Sequence, residues 1–94
     1  MKTQAVFCDP ADLTHWHKWV ERHPDVLIHN QGNAVGKTWR AIRVTSRVHT
    51  VSQGFDEIVY LRGYEKIANV IDLIQEIMRT TSQNLEIGRP NDGE

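Results

Sequence analysis

The chain of 94 residues has one cysteine, three prolines and only 7% aromatic residues. A lone Cys8 excludes an internal disulfide and leaves no cysteine pair for a zinc site. No apolar run approaches the roughly 20 residues that a membrane-spanning helix needs. The polar start Met1-Lys2-Thr3-Gln4 has no apolar h-region of signal-peptide length behind it, so no secretory signal is expected. These absences predict a soluble cytoplasmic protein with no membrane association. The formal net charge is −1, which gives no global attraction to polyanions.

One absence is local. Between Val26 and Phe55 there is no Asp or Glu, while Lys37, Arg40, Arg43 and Arg47 all fall there. Residues 56–94 hold eight acidic and four basic groups, and residues 1–25 hold four and three. A basic middle therefore stands against an acidic C-terminal part. Opposite charges on two parts of one chain also make a homodimer plausible.

A folded core is within reach: 39% of the residues are apolar and they recur with regular spacing. A chain of this size is expected to form one compact domain over residues 1–88, with 89–94 as a polar tail. Residues 5–8 read as a strand. Asp9 and Pro10 then suit the N-cap and first position of a helix whose Leu13, Trp16 and Val20 share a face, with Trp19 beside them. Pro24 ends that helix, and residues 25–29 read as a second strand.

Residues 37–54 fit more than one pattern. A strand puts Ile42, Val44, Ser46 and Val48 on one face and Arg43, Thr45, Arg47 and His49 on the other, with Trp39 on the arginine side. A helix would align Ala41, Val44, Val48 and Val51. A third pattern ends the strand near Thr45 and lets Ser46 cap a short helix to Gly54. The many β-branched residues favour a strand over at least 39–45. Residues 57–61 read as another strand. Ile67, Val70, Ile71, Ile74, Ile77 and Met78 then lie at helical spacing, and residues 85–87 could add a short edge strand. The fold class expected is α+β: a sheet of about four strands with two packed helices, in the order β-α-β-β-(α?)-β-α.

The candidate chemistry is sparse. Gly32, Gly36, Lys37 and Thr38 form Gly-x-x-x-Gly-Lys-Thr, one residue short of a nucleoside-triphosphate loop. They offer a weak phosphate or anion site and, more plainly, a turn between strands. His15 and His17 lie on different faces of their helix, and nothing supports a metal. Asp72 and Glu76 lie one turn apart on a solvated helix face, with no second carboxylate site to join them. Cys8 reads as a buried, inert thiol. No catalytic constellation is present, and no cofactor is expected.

What remains is binding. Lys37, Trp39, Arg40, Arg43, Arg47 and His49 form a basic segment with one aromatic side chain. They fit the docking surface of a small non-enzymatic regulator or inhibitor, of the kind that viruses and mobile elements direct at a host factor. A partner protein is the leading expectation. A nucleic acid or nucleotide phosphate, held by the same arginines and the loop around Lys37, is the alternative.

Overall fold

The computed structural model describes residues 2–28, 32–46 and 54–79. Four strands and two helices make a small α+β fold: β1 (Lys2–Phe7), α1 (Thr14–Arg22), β2 (Val26–Ile28), β3 (Trp39–Val44), β4 (Glu57–Tyr60) and α2 (Val70–Met78). The sheet order is β2-β3-β1-β4. Every pairing is parallel: Lys2 lies opposite Trp39, Phe7 opposite both Val44 and Tyr60, and Val26 opposite Trp39.

A parallel sheet is normally covered on both faces, and its central strand then reads as an unbroken apolar run. β1 behaves in this way, being buried from Gln4 onward. Ala5 and Phe7 join Ile42, Val44, Ile58 and Tyr60 in a core closed by Leu73, Ile74 and Ile77 of α2. Val6 and Cys8 join Ala41, Val59 and Leu61 in a second core on the other face, closed by Trp16 and Trp19 of α1. Each helix therefore covers one face, and β1 contributes alternate side chains to both.

β3 settles the ambiguous segment as a strand over Trp39–Val44. Residues 47–53, where the sequence also permits a short helix, lie outside the described residues, as do 85–87 and the tail.

Both helices start later than the sequence suggests. α1 opens at Thr14 after an N-cap at Leu13, not at Asp9 and Pro10. The Asp9 carboxylate instead accepts the amides of Ala11 (2.8 Å) and Asp12 (3.2 Å), folding those residues into a local turn. Asp12 then takes the Thr14 amide (3.0 Å) and hydroxyl (2.6 Å), so the helix begins only beyond them. His23 closes α1 directly before Pro24, as expected.

α2 likewise begins at Val70, after Asn69 in the left-handed conformation at φ 55°. Ile67 belongs to the end of a preceding 3-10 turn, Tyr64–Lys66, and is buried from there. The buried stripe of α2 runs through Leu73, Ile74 and Ile77, and Ile71 is 52% exposed. Leu73 pulls the centre of the apolar arc toward Val70 and Ile77, and Ile71 is left on its rim.

Candidate binding surface along strand β3

The loop before β3 uses its own donors. Gly32 and Gly36 both have positive φ, at 71° and 75°, which glycine adopts at little cost. The Lys37 amide donates to Ala34 (3.1 Å), the Thr38 amide to Asp25 (3.3 Å) and the Val35 amide to the Asn33 side chain (3.1 Å). The Lys37 ammonium donates to the Pro24 carbonyl. A phosphate-binding loop presents free amides at the start of a helix. Here three amides are engaged, and Thr38 leads into a strand. Gly32, Gly36, Lys37 and Thr38 build a strand-connecting turn braced against the end of α1.

Period-2 alternation sorts the residues of β3. Trp39 and Arg43 share the α1 face with Ala41, and Arg40 points to the α2 face with Ile42. Trp39 is half-buried against the α1 core, and the Lys2 ammonium sits 5.5 Å from its ring centroid. Arg40 and Arg43 are exposed. Among the described residues, neither guanidinium makes an ion pair or a side-chain hydrogen bond. The structure thus brings Trp39, Lys2 and Arg43 together on one face and separates Arg40 from them. Arg47 and His49 lie outside the described residues. The other two tryptophans are core: Trp16 and Trp19 are 6% and 2% exposed.

Cys8 is not a poised nucleophile. It is 1% exposed and its thiol donates to the Val6 carbonyl (3.3 Å). Burial pushes the thiol up to about 12, outweighing the positive charge of Arg43. Burial, and then the neighbouring Tyr64, also push Tyr60 up to about 12. These shifts fix a pH dependence. Both groups stay neutral in the fold, whereas in the unfolded chain they ionise near 9.0 and 10.0. Between those values and about 12 the unfolded state binds fewer protons, so stability is full below pH 9 and falls as pH rises. Urea midpoints measured from pH 8 to 11 should decline above pH 9. A Cys8→Ala variant should decline less steeply, and equal slopes would refute the assignment to Cys8.

One feature of the carboxyl edge of the sheet is not evident from sequence. In open parallel sheets, ligands bind where neighbouring strands send their chains to opposite faces. Here β1 leads to α1 and β4 leads to α2, and the gap between them is occupied by the protein itself. Asp9, 5% exposed, pairs with Lys66 at 3.2 Å. Its carboxyl is held below the usual carboxylate range by the Ala11 amide first; burial opposes this next, and Lys66 and the Asp12 amide add to the lowering. Gly63, at φ 87°, packs so closely that a Cβ there would lie 2.6 Å from the Asp9 Cβ. The result is a clasp between the two chain exits. Its sequence signals are an Asp directly after a strand and a Gly between strand and helix, and both also fit ordinary caps and turns.

Among the described residues, no group of three or more His, Cys, Asp or Glu side chains could hold a metal ion, and no helix is long and apolar enough to cross a membrane. Comparison with protein-family models, curated proteins and solved structures finds no match.

Proposed function

We propose that the protein is a small non-enzymatic binding protein, regulatory or inhibitory in kind, that docks on a partner protein through the flank of β3. Trp39 is the anchor, and Arg43 with Arg40 matches acidic groups on the partner. The observation that carries this reading is the pair of exposed guanidiniums, without an acid partner among the described residues, beside a half-buried Trp39. Arginine and tryptophan are the residue types most enriched among interface hot spots. The opposed directions of Arg40 and Arg43 favour a partner that wraps the β2–β3 side of the sheet over a nucleic-acid backbone tracked by one basic face.

The test is a pull-down with wild type, Arg40→Glu/Arg43→Glu and a control reversal on exposed α1, Lys18→Glu, followed by affinity measurement on the purified partner. The expected result is a nuclease-resistant protein retained by wild type and the control. Its affinity for the double variant should fall about tenfold or more, or roughly 1.4 kcal/mol. Nuclease-sensitive material lost by the double variant would replace this reading with nucleic-acid binding. Indistinguishable eluates would make the flank a solvated surface and end the proposal.

A further inference from the structure

A cavity of about 480 Å³ opens between the C-terminal end of α1, the edge strand β2 and the loop before β3. That volume lies within the range of small-molecule sites. Val20, Pro24, Val26, Leu27 and Ile28 give it apolar walls, and its polar lining is His23, Asn33 and Lys37. Among the described residues, no acidic side chain lines it. Asp25, between two lining residues, is exposed and is not part of the wall.

The polar groups are held in place. The His23 ring stacks on Trp19, with centroids 4.3 Å apart. Its Nδ1 lies 2.7 Å from the Trp19 carbonyl, which can only accept, so Nδ1 carries a proton and Nε2 is the nitrogen left for a ligand. The Lys37 ammonium spends one of its three donors on the Pro24 carbonyl, which holds it at the cavity, and among the described residues its other two donors make no further bond. Asn33 is tied by the Val35 amide, so its carboxamide is oriented as well. A positioned cation against apolar walls selects one chemistry: an apolar body ending in a carboxylate.

We propose that this cavity binds a small apolar monocarboxylate, with its chain against Val20, Val26 and Ile28 and its carboxylate on Lys37. The site uses other side chains than the docking arginines, since neither Arg40 nor Arg43 lines it.

Titration of the full chain with hexanoate, 1-hexanol and acetate, followed by amide chemical shifts in NMR, tests this directly. Hexanoate should give saturable shifts in the millimolar range, centred on Val20, Leu27 and Lys37. Hexanol and acetate should each bind about tenfold more weakly or worse, one lacking the charge and the other the apolar body. Lys37→Met should remove the preference for hexanoate over hexanol, and Val20→Phe, which fills the cavity, should abolish both. If Lys37→Met does not fold, the three ligands on the wild-type chain still decide the matter. Equal binding of hexanoate and hexanol, equal binding of hexanoate and acetate, or no saturable shift at the cavity would each overturn the proposal.

Discussion

Gly63→Ala should lower the stability of the protein by about 2–4 kcal/mol, a large part of the total for a domain of this size. Two costs combine. Gly63 sits at φ 87°, where a side chain is strained by about 1–2 kcal/mol. In addition, the new Cβ would lie 2.6 Å from the Asp9 Cβ and Oδ2 and 2.9 Å from its Cγ. Asp9 cannot withdraw easily, since it is bonded to Ala11, Asp12 and Lys66 at once. A shift there would release the turn that precedes α1. Gly36→Ala is the matched control: φ is 75° and nothing lies within 4 Å of the added Cβ, so only strain is paid. Thermal unfolding should place Gly63→Ala well below Gly36→Ala, with a total loss of roughly 10–20 °C. Equal losses in the two variants would mean that the Asp9 clasp does not hold the exits of β1 and β4 together.

That clasp also marks where the sequence stops being informative. Asp9 before Pro10 carries the local signature of a helix start, and local signatures report local preference only. What moves the helix to Thr14 is a competing set of bonds, among them one to Lys66, which is remote in sequence. The parallel arrangement is of the same kind. Residues 5–8, 39–45 and 57–61 read as strands from composition and spacing, and strands form at Lys2–Phe7, Trp39–Val44 and Glu57–Tyr60. Their order and direction depend on which helix covers which face, and no single window of sequence records that. Within β3 the alternation is legible, so the shared face of Trp39 and Arg43 follows from period 2 alone. The fate of the loop before β3 does not. A glycine-lysine spacing cannot say whether amides face outward to an anion or inward to Ala34, Asp25 and Asn33. The three tryptophans resemble one another in sequence, yet two close the α1 core and only Trp39 reaches the surface in part.

Because β1 serves both cores, Phe7→Ala should weaken both layers at once. Phe7 is fully buried, lies opposite Val44 and Tyr60, and meets the Tyr60 ring at a centroid distance of 5.6 Å. Truncating a buried phenylalanine costs about 3–5 kcal/mol, the larger values applying where the site cannot collapse. Collapse is restricted here because Phe7 is held in register on two sides by strand pairing. One feature works the other way. The Tyr60 hydroxyl is buried with no hydrogen-bond partner among the described residues, so a hole beside that ring has a polar group to which a water can bond. These opposing effects place the expected loss at about 4 kcal/mol, within the usual phenylalanine range. The transition should stay single. Trp16 and Trp19 report on the α1 face, opposite the deleted ring, while far-ultraviolet circular dichroism reports on both helices. In urea, fluorescence and dichroism should shift to the same lower midpoint, as a cooperative fold requires. A tryptophan transition left at its wild-type midpoint would show that the two layers unfold separately, and that β1 does not couple them.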